Sequence, residues 1–178
     1  DFSKAIQLDS NYASTYYNRG NAKRNLKNYK GAIDDYSKAI QLDPSNASAY
    51  NNRGAAKYYL KDYKGAIDDY SKAIQLDPNY AAAYNNLGAT KYYLKDYKGA
   101  IDDYSKAIQL DPNYATAYYN RSNSFQKLDD KKHAKQDLKM ARKLDGSRWK
   151  IIGSKVLIGL VLLIILIFYK RIDQWMDQ

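Results

Sequence analysis

The chain has 178 residues, 29 Lys and Arg against 19 acids, and a formal net charge of +10. It has no Cys, which excludes disulfides, zinc–thiolate sites, iron–sulfur ligation and cysteine nucleophiles, and its single His133 leaves little for metal or general-base chemistry. All the acids are Asp, the aromatics are dominated by 20 Tyr, and the charge makes nucleic acid, an anionic membrane surface or an acidic protein the first candidate partners.

Residues 1–12 read as the end of a truncated repeat, because DFSKAIQLD matches DYSKAIQLD at 35–43. This start predicts a chain that begins inside a helix, as a fragment of a longer protein would. The string GAIDDYSKAIQLDP then recurs at Gly31, Gly65 and Gly99, a period of 34 residues, dividing the chain into units 13–46, 47–80, 81–114 and 115–148. Each unit predicts two helices. In the second, a first helix over 48–60 carries Tyr50, Gly54 and Tyr58 at helical spacing, and Asp62 is placed to cap the next helix. That next helix has an apolar stripe of Ala66, Ile67, Tyr70, Ala73, Ile74 and Leu76. Asp68 and Asp69 are read as early acids that suit the helix dipole, and Asp77-Pro78 ends the helix. The columns Gly20/Gly54/Gly88, Ala32/Ala66/Ala100 and Ala39/Ala73/Ala107 predict tight helix packing, with another backbone close to the glycines. Tyr36, Tyr70 and Tyr104 are read as core.

These residues resemble the tetratricopeptide repeat family, whose pattern is carried in the second unit by Tyr50, Gly54, Ala66, Tyr70, Ala73 and Pro78. Arg53 stands where the family has Leu, and Leu87 restores it one unit later. The fourth unit departs most, with Ser122 for Gly, Leu138 for the aromatic and Gly146 for Pro, as terminal repeats often do. The resemblance implies an all-α fold, a right-handed α-solenoid of helix pairs over residues 1–148.

After Arg148 the composition changes. Residues 151–169, IIGSKVLIGLVLLIILIFY, are long enough to cross a hydrocarbon core of about 30 Å. Fourteen Leu, Ile, Val and Phe each favour insertion by about 0.3–0.6 kcal/mol, which outweighs the cost of roughly 3 kcal/mol for a central lysine. Lys155 is near one end and can snorkel. A single transmembrane helix with its flanks is therefore expected over 149–171, followed by a short polar tail over 172–178. Trp149, Lys150, Lys155, Tyr169, Lys170 and Arg171 are its expected interface residues. A helix buried against another subunit is the alternative.

The charge is not spread evenly. Residues 115–148 hold nine Lys and Arg against four Asp, and 149–155 add two Lys, so seven of the ten net charges adjoin the span. Such a collar suits an anionic leaflet rather than a nucleic-acid groove, and nucleic acid is not an expected partner. The bland alternative is a solvated helix face. The basic excess on the near side places the repeats in the cytoplasm or an equivalent stroma or matrix.

By resemblance, the first helices line a concave groove for an extended peptide or a partner helix. The expected groove residues are the column Asn18, Asn52, Asn86 and Asn120, its neighbours Asn51 and Asn85, and Tyr58, Tyr59, Tyr92 and Tyr93. Asn amides both donate and accept, as a peptide backbone requires, and Tyr adds amphipathic contact area. The cations of a carboxylate clamp are missing, since Tyr17, Asn51, Asn85 and Tyr119 stand there, so an uncharged or mildly polar partner is expected. No catalytic constellation, metal site or cofactor motif is legible. The expected function is a non-enzymatic, membrane-anchored protein-interaction scaffold. The alternatives are a permanent subunit of a large membrane complex and, further off, an RNA-binding helical repeat.

Overall fold

The 34-residue period folds as one helix pair per unit. The computed structural model describes residues 12–146. In chain order these form α1 (Ala13–Asn25), α2 (Tyr29–Leu42), α3 (Ala47–Tyr59), α4 (Tyr63–Leu76), α5 (Ala81–Tyr93), α6 (Tyr97–Leu110) and α7 (Ala115–Lys127). A last helix, α8, covers residues 131–146. Each helix packs on the next, and α1, α3, α5 and α7 also touch in succession, so the odd-numbered helices share one face of an all-helical solenoid. The expected membrane span and its interface residues lie outside the described residues. Among the described residues, no helix is long and apolar enough to cross a membrane.

Local chemistry sets the helix ends. Asn28, Asp62 and Asp96 each accept a hydrogen bond from the N–H of Gly31, Gly65 or Gly99, at 3.0–3.1 Å. A Cβ on Gly65 or Gly99 would run into the capping carboxylate itself, which explains why glycine recurs three residues after the cap. At the other corner, Asp43, Asp77 and Asp111 accept from the N–H two residues on, at 3.0–3.1 Å, closing an Asx turn around each Pro. The odd helices end less comfortably. Lys27, Lys61, Lys95 and Asp129 take φ between 58° and 67°, the left-handed region that glycine fills at lower cost.

The core is made from alanine and tyrosine. Ala32, Ala39, Ala49, Ala56, Ala66, Ala73, Ala83, Ala100, Ala107 and Ala117 have no exposed surface, and Tyr36, Tyr70 and Tyr104 are within 2 % of full burial. The glycine column meets these rings. A Cβ on Gly54 would lie 2.9 Å from Tyr70 Cε1 and 3.2 Å from the Ala66 carbonyl oxygen, and Gly88 repeats this with Tyr104 and Ala100. The expected close backbone is present at Gly54 and Gly88 as a carbonyl oxygen of the partner helix, and a tyrosine ring comes closer still.

The fourth unit solves the same contact differently. Leu138 replaces the ring, and fully buried Ser122 occupies the glycine position. Its Oγ donates to the Ala134 carbonyl at 2.9 Å. The Asp pairs also depart from expectation. No acid lies in the first turn of α4. Asp68 is exposed and Asp69 is buried, so adjacent carboxylates do different work.

The glycine–ring contact predicts non-additive substitutions. Gly88→Ser alone is expected to destabilise by about 1–3 kcal/mol through overpacking. In the background of Tyr104→Leu, the pairing found at Ser122 and Leu138, the same change is expected to cost at least 0.5 kcal/mol less, roughly the floor for residues in contact. Urea unfolding of the four-member cycle measures this, and additive costs would contradict it.

Candidate functional site

Short polar side chains knit the odd helices together. Asn86 Nδ2 donates to Asn51 Oδ1 at 3.0 Å, and Asn120 Nδ2 donates to Asn85 Oδ1 at 3.1 Å. One unit earlier, Asn52 Nδ2 donates to Tyr17 OH and to Asn21 Oδ1, both at 3.0 Å. The asparagines form a ladder, one rung per unit boundary. Asn51, Asn52 and Asn85 are at most 9 % exposed. The structure therefore places these three inside the stack as positioning groups, and Asn18 on the open surface of α1. Asn86 and Asn120 are half-buried and also face the open side.

Two hollows lie on that open side. One of about 120 Å³ is walled by Ala55, Tyr58, Tyr59, Tyr70, Asn86 and Ala89. The other, about 170 Å³, is walled by Tyr58, Ala89, Tyr92, Tyr93, Tyr104, Asn120 and Asn123. They are the same site one period apart, sharing Tyr58 and Ala89 as a common wall. Among the described residues, neither wall carries a charged side chain. The structure thus brings Tyr58, Tyr59, Tyr92, Tyr93, Asn86 and Asn120 together.

The tyrosines also hold each other. Tyr29 stacks on Tyr59 at 4.8 Å between centroids, Tyr58 meets Tyr93 edge-on at 5.4 Å, and Tyr92 meets Tyr97 at 5.4 Å. Burial pushes the Tyr58 hydroxyl well above its ordinary pKa, and a hydrogen bond with Tyr93 adds to the effect. Burial raises Tyr70 and Tyr104 likewise. Burial therefore favours the neutral form of these three hydroxyls. Tyr59 and Tyr93 remain 60 % exposed, so their rings offer free area.

At the homologous place between the first two units, polar side chains replace the apolar wall. Asn21 and Arg24 stand where Ala55 and Tyr58 stand one unit later. Arg24 Nη1 donates to Asn52 Oδ1 at 3.0 Å, and Tyr36 OH donates to Asn21 Oδ1 at 2.8 Å. Burial pushes Tyr36 up to about 12.

The sequence gives no direct sign of a second polar system on the far side of the odd helices. Arg19, Arg53 and Arg121 each fork onto Asp35, Asp69 or Asp137 with both bonds at 2.6–2.9 Å. Arg53 and Arg121 also reach back to Ser37 and Ser105 of the preceding unit, at 3.1 and 2.9 Å. Their guanidinium carbons lie 5.4–5.7 Å from the Tyr50 and Tyr118 ring centroids. The recurring 16-residue Arg–Asp separation is the signal that finds this system. Leu87 interrupts it, and among the described residues Asp103 pairs with Lys91 alone, 2.7 Å away.

The two environments tune the acids oppositely. Burial alone would raise Asp35, but hydrogen bonds from Arg19 and Lys23, with their charges, outweigh it and hold the carboxyl below its ordinary value. At Asp103, burial prevails over Lys91, and neighbouring Asp102 and Asp96 reinforce the rise.

A stack of repeated helix pairs with a tyrosine-lined open face defines a helical-repeat interaction scaffold. Family models described as tetratricopeptide repeat match residues 13–46, 47–80, 81–114 and 115–147, and the chain belongs to the tetratricopeptide repeat family. Among curated proteins, none matches the chain. A crystal structure of MamA is similar at 26% identity with a TM-score of 0.77, covering 84% of this chain and 87% of that one. The first tetratricopeptide domain of Spaghetti (RPAP3), bound to the HSP90 peptide SRMEEVD, is 32% identical with a TM-score of 0.65, covering 67% and 95%. The Arabidopsis OM64 tetratricopeptide domain is 31% identical with a TM-score of 0.63, covering 64% and 94%.

The opposed acid shifts set a pH-dependent contrast. The depressed Asp35 supplies stability above the ordinary carboxylate pKa and loses it as pH falls through its folded value. The raised Asp103 costs stability once pH exceeds the ordinary value, and relieves that cost on acidification. Asp35→Asn is therefore expected to destabilise by about 1.5–3 kcal/mol at pH 7, the range for hydrogen bonds to charged groups, and Asp103→Asn by close to zero. Urea midpoints measured from pH 7 down to pH 3 check both, with the deficit of Asp35→Asn shrinking on acidification.

Proposed function

We propose that the chain is a membrane-anchored adaptor whose odd-helix face holds an extended segment of a protein partner. The observation that carries this reading is the pair of abutting hollows, lined by tyrosine hydroxyls, rings and asparagine amides. Such walls bury apolar area while offering hydrogen bonds, the combination enriched at protein interfaces. The similar domain of Spaghetti, solved with a peptide bound, supports a peptide-sized occupant. The acidic peptide of that complex is not the expected ligand here, since the two hollows carry no cation. The reading is non-enzymatic: the face positions a partner and leaves it unchanged.

The anchor in this reading is the apolar run 151–169, with Trp149, Lys150, Lys155, Tyr169, Lys170 and Arg171 at its two interfaces. The basic collar over 115–155 meets an anionic leaflet, and the repeats face the cytoplasm or its stromal or matrix equivalent. Bringing the adaptor to a surface raises the local concentration of whatever it holds.

Peptide display against the full chain in detergent tests the face. Selected peptides are expected to lose binding to Tyr59→Ala/Tyr93→Ala, whose rings are 60% exposed, with circular dichroism checking that the variant keeps its fold. Undiminished binding by that variant removes the assignment. Alkaline carbonate extraction of membranes from expressing cells tests the anchor. The chain is expected to stay in the pellet, and its release into the supernatant rules out a span.

A further inference from the structure

We infer that the paired hollows take a neutral polyproline II segment with rings at positions i and i+3, flanked three residues away by an acidic side chain. The inference rests on the odd-helix face being the binding face, and adds the conformation and register of its occupant.

Spacing makes the first argument. The hollows are one period apart and share a wall, so their separation is that of neighbouring odd helices. Those helices are close enough for two asparagine side chains to bond directly at 3.0–3.1 Å. Helices in such contact lie about 8–10 Å apart. A polyproline II helix has three residues per turn and rises about 3.1 Å per residue, so i and i+3 share a face roughly 9 Å apart. A β-strand returns to the same face only at about 6.6 or 13 Å. An α-helix reaches the span at about 10.5 Å with i and i+7, but sets its i+3 and i+4 side chains on the same face in between. The shared wall of Tyr58 and Ala89 leaves no hollow for them.

Size and chemistry make the second. Volumes of about 120 and 170 Å³ bracket the roughly 150 Å³ cavity known to take one benzene ring. Aromatic walls suit proline rings. The polyproline backbone has no internal hydrogen bonds, so its carbonyls are free to accept from Asn86, Asn120 and the tyrosine hydroxyls. Charge makes the third. One period before the first hollow, Arg24 is the cation in register with Tyr58 and Tyr92. A ligand running past all three positions therefore carries neutral rings at the two hollows and a carboxylate beside Arg24.

Fluorescence anisotropy with the full chain in detergent tests this, using labelled dodecamers of sequence type Asp-x-x-Pro-x-x-Pro and its reverse, with x Ala or Ser. At least one direction is expected to bind tenfold or more tightly than a peptide of equal composition with prolines at i and i+2. Asp→Asn in the peptide is expected to weaken binding severalfold, and Arg24→Gln to abolish that difference. Tyr58→Ala removes the shared wall. If it fails to fold by circular dichroism, Tyr59→Ala/Tyr93→Ala, exposed at both hollows, replaces it, with an expected loss of tenfold or more. Equal affinity for the shifted-proline peptide, or unchanged binding by the exposed-tyrosine variant, overturns the proposal. If neither dodecamer binds while displayed peptides do, the polyproline class is wrong and the binding face stands.

Discussion

One contact organises the solenoid: a tyrosine ring from each of α2, α4 and α6 lies where the preceding odd helix has no Cβ. Tyr70 Cε1 would be 2.9 Å from a Cβ on Gly54, a separation at which a real one does not fit. The glycine costs about 1 kcal/mol in helix propensity against alanine. In return a ring is buried almost completely and the two helices come close enough for fully buried alanines to fill the remaining seam. The alanine columns follow from this spacing, since any larger side chain there would push the helices apart. So does the line of odd helices, because each ring fixes the distance between the members of its pair. The fourth unit shows that the constraint concerns volume: when the ring becomes Leu138, a serine fits and its hydroxyl bonds the carbonyl behind it.

Polar groups then set the register between units. On the open side the asparagine ladder links residues 35 apart, one period plus one, so each rung crosses a unit boundary. On the other side Arg53 and Arg121 bind an acid of their own unit and a serine of the one before. The amide bonds contribute about 1 kcal/mol each and those to charged groups about 1.5–3, but a slipped register would bury their partners unpaired at greater cost. Leu87 shows what one substitution does: it adds apolar packing against Ala66 and Tyr70 and leaves Asp103 to a lysine alone.

Much of this was legible in the sequence, for physical reasons that can be named. The caps at Asn28, Asp62 and Asp96 and the breaks at the Asp-Pro corners depend on neighbouring residues, so local pattern reveals them. The core tyrosines stand at helical spacing within one unit. The membership of Tyr58, Tyr59, Tyr92 and Tyr93 in one surface follows from their place on consecutive odd helices. The asparagines were harder. Their recurrence at a fixed position fits both ligand contact and a packing ladder, and only the geometry assigns Asn51, Asn52 and Asn85 to the stack. The Arg–Asp forks were hidden further, because their 16-residue separation crosses a turn and an arginine at that position reads as a departure from the family pattern. Asp68 and Asp69 look equivalent as letters, yet successive helix residues point about 100° apart, which puts one in water and the other under a guanidinium.

The same near-identity of units that fixes the backbone frees the open face to vary. Between the first and second boundaries, Asn21 and Arg24 give way to Ala55 and Tyr58, and the ladder acceptor changes from Tyr17 to Asn51, while the ring position and the donor asparagine keep their types. With Asn21 and Arg24 present, hydrogen bonds to Asn52 and Tyr36 fill the space. With Ala55 and Tyr58, the alanine leaves a hollow and the tyrosine forms its wall. The exchange trades the hydrogen bond that Tyr36 donates to Asn21 for the packing of Tyr58 against the cluster of Tyr70, while the glycine beneath each ring is kept. A scaffold of this kind acquires a binding register by where it interrupts its own repetition, and in this chain the interruption sets a cation beside two neutral sites.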